Sequence, residues 1–238
     1  MLVDAHCHAY GFDEGELKEF SEIWLVSVAE DLESSVQNVE LSRKYSHIFP
    51  FAGIHPWNVK DYDEESLHGI AELAWEGNIQ GFGEIGLDKR YGKMWERQLK
   101  LFERFCELAC ELNLPVNVHA LGAWKEALDV LQKHSIKRAL IHWYSGPPEL
   151  LKEIEALGYY VSINPSVETQ PKHMRILERV SVDMILTESD GPYVYRGLYL
   201  KPTMIEKLVE TIADVKELTV KEVKRIVERN FERFLGRV

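Results

Sequence analysis

Short β-rich segments alternate with helix-like segments along all 238 residues, and this alternation constrains the fold more than any other feature of the chain. Segments of helical periodicity separate the β-rich ones, and strands that alternate with helices indicate βαβ units and a parallel sheet. The predicted strands are eight: Leu2–Ala5, Trp24–Ala29, Ile48–Ile54, Ile79–Ile85, Pro115–Val118, Ala139–Ile141, Tyr159–Ile163 and Met184–Thr187. The helix-like segments include Ser66–Glu76, Trp95–Leu112, Trp124–His134, Pro148–Leu157 and Lys172–Val180.

Eight such units predict an α/β protein, a single (β/α)8 TIM barrel whose one domain spans residues 1–238. The length agrees, because barrels of this kind typically have about 250 residues. An open doubly wound sheet is the alternative, but no Gly-rich phosphate-binding loop opens a helix near the N-terminus. No linker, repeat or low-complexity segment divides the chain.

Two further helices are predicted at the C-terminal end. Thr203 with Glu206, and Thr219 with Glu222, have the spacing of a capping box, in which each side chain binds the other residue's backbone N–H. Gly236 is a typical residue at which the second of these helices would end.

Composition and charge exclude several classes of protein. The formal net charge of −11 does not suit a nonspecific nucleic-acid binder that relies on a basic surface. No apolar run approaches the roughly 18 residues of a membrane span, and the N-terminus lacks the basic region of a secretory signal. The three cysteines do not form a disulfide framework, so we expect a reduced, cytoplasmic protein without membrane contact. Nothing in the sequence specifies an oligomeric state.

Side chains that commonly bind metal ions follow five of the predicted strands at the same end. The carboxyl ends of all strands in a barrel share one face, where active sites lie. A His-x-His pair on an extended chain also places both imidazoles on one side. The candidates are His6 and His8 after the first strand, Glu84 on the fourth, His119 on the fifth, His142 on the sixth and Asp190 after the eighth.

Each of these residues has an ordinary interpretation when taken alone. Glu84 precedes the Gly86 turn, and Asp190 begins a turn sequence with Gly191 and Pro192. A single histidine is more often a hydrogen-bonded or surface side chain than a metal ligand. We interpret four histidines in that way: His47, His68, His134 and His173. The joint position of the six candidates at one barrel face favours a metal site.

Six segments resemble motifs of the TatD family, which are metal-dependent deoxyribonucleases among the amidohydrolase-like barrels. The segments occur in the order and at the spacing of that family, and the resemblance extends from Asp4 to the final helix. They are Asp4-Ala5-His6-Cys7-His8, Gly53-Ile54-His55-Pro56, Gly83-Glu84-Ile85-Gly86-Leu87-Asp88, Pro115-Val116-Asn117-Val118-His119, His142-Trp143-Tyr144-Ser145-Gly146 and Glu188-Ser189-Asp190-Gly191-Pro192-Tyr193.

The resemblance implies two divalent metal ions. One would be held by His6, His8 and Asp190. Glu84 would bridge to the second, held with His119 and His142. Imidazole and carboxylate ligands suit Zn or Mn, and Mg tolerates the more oxygen-rich side. Two such ions can clamp a phosphodiester and activate water, with Asp190 and Glu84 as catalytic residues and Asp190 accepting the proton.

The sequence departs from the family where it has His119-Ala120-Leu121 in place of His-Ser-Arg. An arginine side chain can bind phosphate through two parallel hydrogen bonds, so another cation would have to take this role. Lys89 and Arg90 are the predicted substitutes, with Arg196 and Lys201 as further cations of the barrel mouth. The surface-cation interpretation of each is at least as common. His55 either contacts substrate phosphate or orients the rim. The segment 199–202 also departs from the family.

The predicted function is a metal-dependent phosphodiesterase acting on DNA ends or single-stranded DNA. The missing arginine and the acidic charge favour an alternative, hydrolysis of a small-molecule amide, ester or lactone on the same barrel. A noncatalytic protein with a vestigial metal site is a further alternative, against which the retention of all six ligand types argues.

Overall fold

Eight strands pair in chain order to form one sheet in the computed structural model, which describes residues 1–237. Each strand is parallel to the next. The strands are β1 (Leu2–Cys7), β2 (Ile23–Ser27), β3 (Ile48–Ala52), β4 (Gly81–Gly86), β5 (Val116–His119), β6 (Ala139–Ile141), β7 (Tyr160–Ile163) and β8 (Ile185–Thr187). All eight predicted strands are confirmed, with ends that differ by up to two residues.

The first and last strands lie side by side and close the sheet into a barrel. The Thr187 hydroxyl donates to the carbonyl of Val3. The backbone N–H of Asp190 donates to the carbonyl of His6, at 2.9 Å, so the ends of β1 and β8 are joined at the mouth. The predicted (β/α)8 barrel is therefore confirmed; its predicted last residue, Val238, lies outside the described residues.

Nine α-helices are found among residues 1–237, and most lie between consecutive strands. They are α1 (Glu14–Glu19), α2 (Leu32–Lys44), α3 (Glu64–Trp75), α4 (Trp95–Leu112), α5 (Trp124–Lys133), α6 (Leu151–Ala156), α7 (Pro171–Arg179), α8 (Ile205–Lys216) and α9 (Val220–Leu235). The predicted helix Pro148–Leu157 is a 3-10 turn, Pro148–Leu150, followed by α6.

The helices cover the barrel through one apolar face each, because hydrophobic residues recur with the helical period. On α4, for example, Leu101, Phe105 and Cys106 are all buried. The ring of Phe105 lies 5.6 Å from that of Phe82 on β4. This packing holds the strands, and therefore the side chains at their ends, in fixed positions.

One of the two predicted capping boxes is confirmed and the other is wrong. Thr219 and Glu222 form the box that begins α9, and Gly236 ends that helix in a left-handed conformation. Thr203 and Glu206 form no box, because the 3-10 turn Pro202–Met204 comes first and Met204 occupies the N-cap of α8. The helix therefore begins one residue later than the motif requires.

A two-stranded antiparallel hairpin follows β8 at the barrel mouth and was not predicted from the sequence. Its strands are β9 (Tyr193–Tyr195) and β10 (Leu198–Leu200). The two turn residues, Arg196 and Gly197, have φ of 49° and 85°. Positive φ at both positions is typical of the type I′ hairpin turn, whose twist matches that of the strands.

None of the helices formed by residues 1–237 is both long and apolar enough to span a bilayer. The three cysteines, Cys7, Cys106 and Cys110, are free thiols, in agreement with the prediction. Cys110 is exposed, and the other two are buried.

Candidate metal centre

The carboxylate of Glu84, at the end of β4, lies at the centre of the barrel mouth and is only 3% exposed. Its Oε1 atom is 2.7 Å from His119 Nδ1, 2.9 Å from His142 Nε2 and 3.1 Å from His55 Nε2. These histidines follow or end β5, β6 and β3. The barrel thus brings histidines from the ends of three strands to one carboxylate oxygen of a fourth strand.

The other Glu84 oxygen faces the end of β1. Oε2 is 3.4 Å from His6 Nε2 and 3.6 Å from His8 Nε2. The Oδ1 atom of Asp190 lies 3.3 Å from His6 Nε2 and 3.7 Å from His8 Nε2. All six side chains predicted as ligands therefore converge. His55, predicted to contact substrate or orient the rim, lies within the same cluster.

The donor atoms fit divalent cations. His119 Nδ1 is 3.2 Å from His142 Nε2 and 3.4 Å from His55 Nε2, so three ring nitrogens lie close together beside the Glu84 carboxylate. The buried His6 Nε2 has no hydrogen-bond partner among the described residues. Three overlapping triads have ligand atoms within 4.8 Å of one another: His6–His8–Asp190, His6–Glu84–His142 and His55–Glu84–His119. Imidazole and carboxylate donors in such triads suit Zn or Mn.

The charges of the cluster depend on mutual contact. Burial opposes ionisation of Glu84, but the facing His55, His142 and His6 outweigh it and hold the pKa of Glu84 well below its usual range. Burial lowers the pKa of His142, but the carboxylates of Glu84 and Glu188 outweigh this effect and raise the pKa to about 9. Asp190 is likewise buried, yet its contacts with the histidines hold its pKa well below the usual range. Both carboxylates are therefore ionised near neutral pH.

Side chains behind the histidines fix the directions of the rings. The outer nitrogen of a metal-binding histidine usually contacts a carboxylate, carbonyl or water, which sets its tautomer and orientation. His6 Nδ1 is 2.8 Å from Asn117 Oδ1, and the Asn117 amide donates to the carbonyl of Ala5. His142 Nδ1 lies 3.7 Å from the buried Glu188.

Asp88 performs the corresponding role for His119 and connects it to the rim of the site. This buried carboxylate accepts at Oδ2 from Trp57 Nε1 at 2.9 Å and from Arg90 Nη2 at 2.7 Å. The same oxygen lies 3.0 Å from His119 Nε2. Burial opposes ionisation of Asp88, but the hydrogen bonds from His119, Arg90 and Trp57 hold its pKa well below the usual range.

Sequence reasoning missed the supporting residues Asn117, Asp88 and Glu188. All three lie inside the segments that carried the resemblance, two residues before His119, four after Glu84 and two before Asp190. On an extended strand, residues two apart point to the same side. That periodicity marks Asn117, on β5, as a neighbour of the site, whereas Asp88 and Glu188 lie beyond the ends of β4 and β8 and carry no such pattern.

The cluster forms the floor of a cavity of about 470 Å³. Arg90, predicted to contact substrate, lines this cavity. Lys89, predicted with it, is not among the lining residues; its Nζ instead pairs with Glu126 Oε1 of α5 at 2.5 Å. Ala120 and Leu121, which stand where the family carries Ser and Arg, make part of the wall apolar.

The histidines that we assigned to ordinary roles lie outside the cluster. His173 is buried between the carbonyl of Tyr144 and the backbone N–H of Asn164, with both ring nitrogens in contact. His68 is exposed and pairs with Glu72 on the same helix. None of the three triads includes them.

The sequence model of the family described as TatD related DNase matches residues 3–236. The chain belongs to this family. An uncharacterized metal-dependent hydrolase of Methanocaldococcus jannaschii, MJ1582, is 33% identical over 247 residues, covering 99% of this chain and 97% of the relative. The human protein named deoxyribonuclease TATDN3 is 28% identical, covering 96% of this chain and 92% of the relative. The resemblance is thus confirmed, and the chain is a metal-dependent hydrolase.

Solved structures agree with the fold. YJJV, a TatD homologue from Escherichia coli, superposes with a TM-score of 0.88 at 20% identity and covers 98% of this chain and 97% of its own. A TatD family hydrolase from Entamoeba histolytica superposes with a TM-score of 0.82 at 14% identity, with coverage of 98% and 97%.

Proposed function

We propose that this chain hydrolyses phosphodiester bonds at DNA ends or in single-stranded DNA, using two divalent metal ions. The observation that carries the proposal is the convergence of six ligand-type side chains from five strands on one buried centre at the barrel mouth. The family description and the name of the human relative support DNA as the substrate.

The two oxygens of Glu84 support its assignment as a bridge. Oε1 faces His119 and His142, whereas Oε2 faces His6 and His8. We therefore assign His6, His8 and Asp190 to one ion and His119 with His142 to the other. Zn, Mn or Mg ions bound there would stabilise negative charge on the phosphodiester and make water more acidic.

Asp190 is the proposed base. It is ionised near neutral pH, lies beside His6 and His8, and borders the cavity that would receive the substrate. Its carboxylate would orient the attacking water and accept its proton, a step that typically contributes about 10²–10⁴-fold to the rate. Asp88 and Asn117 keep His119 and His6 in the directions that the site needs.

On the substrate side we propose His55, Lys89 and Arg90. Asp88 engages Nε and Nη2 of Arg90, and the remaining Nη1 has no hydrogen bond within residues 1–237. A guanidinium held in this way would present that donor to a phosphate oxygen. His55 lines the cavity beside Glu84, so it would contact a substrate phosphate next to the metal ions. Lys89 would first have to leave Glu126.

Hydrolysis of a small amide, ester or lactone is the second candidate. The apolar wall at Ala120 and Leu121 favours it, because the family's phosphate-binding arginine is missing there. We propose the cytoplasm as the location for either activity, since the three thiols are free, as is typical of reducing compartments.

The test compares substrates at equal metal loading. The purified protein is supplied with Mn, Zn or Mg and offered labelled single-stranded and duplex oligonucleotides, a bis-phosphodiester, and panels of amides, esters and lactones. We expect cleavage of oligonucleotides that stops with a chelator and is lost in Glu84→Gln but retained in the exposed-site control Glu72→Gln. Turnover of an amide, ester or lactone with DNA untouched would replace the nuclease proposal by the second candidate.

A further inference from the structure

Three aromatic side chains form one wall of the cavity, and we call them the hairpin platform: Trp143, Tyr193 and Tyr195. Trp143 directly follows His142, and Tyr193 follows Asp190 by three residues. The alternation of side chains along a strand places Tyr193 and Tyr195 on the same face of β9, and both line the cavity. Val194 and its partner on β10, Tyr199, are on the other face.

The rings of the platform contact one another by their edges. The Trp143 ring is 5.2 Å from Tyr195 and 6.4 Å from Tyr193, with interplanar angles of 70° and 76°. Tyr193 remains 46% exposed, although tyrosine rings usually lose most of their contact with water. Exposed aromatic surface beside a catalytic centre typically marks a binding surface.

The opposite wall is already covered. The Arg90 guanidinium lies 5.3 Å from the centre of the Trp57 ring, and the Trp57 N–H donates to Asp88. On the hairpin platform only Tyr195 has such a neighbour among residues 1–237, at the tip of the hairpin, and no guanidinium lies over Tyr193 or Trp143. The Arg196 guanidinium lies 5.3 Å from the Tyr195 ring.

We propose that the hairpin platform stacks the unpaired bases of a single-stranded nucleic acid next to the phosphodiester that reaches the metal centre. This inference rests on the proposed function and adds the residues that would hold the bases. Stacking on aromatic rings tolerates any sequence, because every base has a π face. Duplex bases already stack on their neighbours on both faces, so the platform would favour frayed ends and single strands.

The charge of the protein supports stacking as the source of affinity. A chain with a net charge of −11 repels a polyanion, and affinity from many phosphate contacts is not available to it. Ring stacking needs no net charge, and Arg196 supplies a cation where the strand would leave the cavity. A pocket of about 470 Å³ is also within the size range of small-ligand sites, roughly 300–1,000 Å³.

The test removes both tyrosine rings of the platform and uses the tyrosine on the other face of the same hairpin as its control. Tyr193→Ala with Tyr195→Ala should raise KM for a single-stranded oligonucleotide about 5- to 100-fold, with kcat largely retained. Tyr199→Ala, at a residue 43% exposed on the opposite face, should leave KM unchanged. Restoring the rings with Tyr193→Phe and Tyr195→Phe should restore KM.

A second comparison asks whether the rings act on bases. With abasic sites in place of the bases beside the cleaved bond, the affinity of the wild type for the strand should fall to that of the double alanine variant. The affinity of that variant should change little. Equal KM values for the double alanine variant and Tyr199→Ala would overturn the inference. Equal affinity of the wild type for intact and abasic strands would overturn it as well.

Binding is measured separately from cleavage, by fluorescence anisotropy of a labelled oligonucleotide in the presence of metal. Platform-dependent binding without cleavage would support the platform and reject the nuclease proposal. Cleavage without platform dependence would reject the platform and keep the nuclease. The absence of both binding and cleavage would reject both.

Discussion

Asp190 follows β8 in a left-handed backbone conformation, with φ of 57°. Asn and Asp tolerate this conformation better than other residues with a side chain, so Asp190→Asn removes the charge without straining the backbone. We expect turnover to fall about 10²–10⁴-fold if the carboxylate orients water and accepts its proton. Steady-state kinetics gives the loss, and circular dichroism should show an unchanged fold.

The matched control for Asp190→Asn is Asp183→Asn, at a surface carboxylate that pairs with Arg229 far from the cavity. It should retain the turnover of the wild type. Retention of turnover by Asp190→Asn as well would remove Asp190 from the proposed mechanism and leave the rest of the centre to be reassigned.

Asp88 is a positioning residue, because its carboxylate contacts His119, Arg90 and Trp57 rather than the centre of the site. We expect Asp88→Asn to lower the affinity for one metal ion about 10- to 100-fold, as substitution of such supporting groups typically does. Metal titration of the apo protein measures this loss. The fluorescence of Trp57 should also shift, since its indole N–H loses a charged acceptor.

Asp61→Asn is the control for Asp88, because the Asp61 carboxylate is exposed and pairs with its neighbour Lys60. Both variants should unfold as cooperatively as the wild type. Two metal ions bound by Asp88→Asn with wild-type affinity would limit Asp88 to a structural role.

The sequence predicted the candidate ligands because each ends or closely follows a strand, and strand ends meet at one face of a barrel. It did not predict the fate of the cations. Lys89 and Arg90 are adjacent in sequence, yet Lys89 pairs with Glu126 on α5 and Arg90 with Asp88 inside the mouth. The Lys89 pairing depends on a side chain from a distant segment, and the Arg90 pairing depends on the loop conformation after β4; periodicity can place neither. The same limit explains why His55 was not predicted to reach Glu84.

At the scale of the elements, α7 is anchored by the buried His173. Its ring contacts the carbonyl of Tyr144 and the N–H of Asn164, and burial lowers its pKa from 6.5 to about 4. The unfolded chain therefore binds a proton between about pH 6.5 and 4 that the folded chain does not. The free energy of unfolding is therefore highest above pH 6.5 with respect to this group. It falls by about 3 kcal/mol in total as the pH decreases to about 4.

The measurement is urea unfolding of the wild type and His173→Gln, at pH 7 and pH 4.5, in the presence of chelator. Loss of two buried hydrogen bonds should make the variant less stable at pH 7, and the difference should shrink at pH 4.5. His68→Gln, at an exposed histidine, should show no such change. A stability difference that stays constant across the two pH values would contradict the assignment.

The eight barrel strands were predictable because they are buried and therefore rich in branched and aromatic residues. The hairpin β9–β10 was not, because its residues are largely exposed and each strand has only three of them. A pair of such short strands is stable only when the rest of the fold supports it. The Arg196-Gly197 turn between alternating aromatic and aliphatic residues was the one local indication available.

At the scale of the whole molecule, the protein has a net charge of −11, and its metal centre combines imidazoles with two ionised carboxylates. The folded chain holds these groups together, whereas the unfolded chain separates them. Divalent cations should therefore bind the folded state and stabilise it. At a metal concentration of 100 times Kd the gain is about 2.7 kcal/mol, which corresponds to a rise in Tm of about 5–10 °C for a chain of this size.

Thermal unfolding with and without Mn, Zn or Mg tests this coupling without any substrate. Glu84 contacts histidines of both proposed sites, so Glu84→Gln should remove most of the rise in Tm. His6→Ala with His8→Ala should weaken binding of the first ion, and His142→Ala should weaken binding of the second. Each variant should therefore retain part of the rise in Tm. Glu72→Gln, at an exposed helix position, should keep all of it. A rise in Tm that survives Glu84→Gln unchanged would mean that the cations bind elsewhere, and both the ligand assignment and the two-ion proposal would fall together.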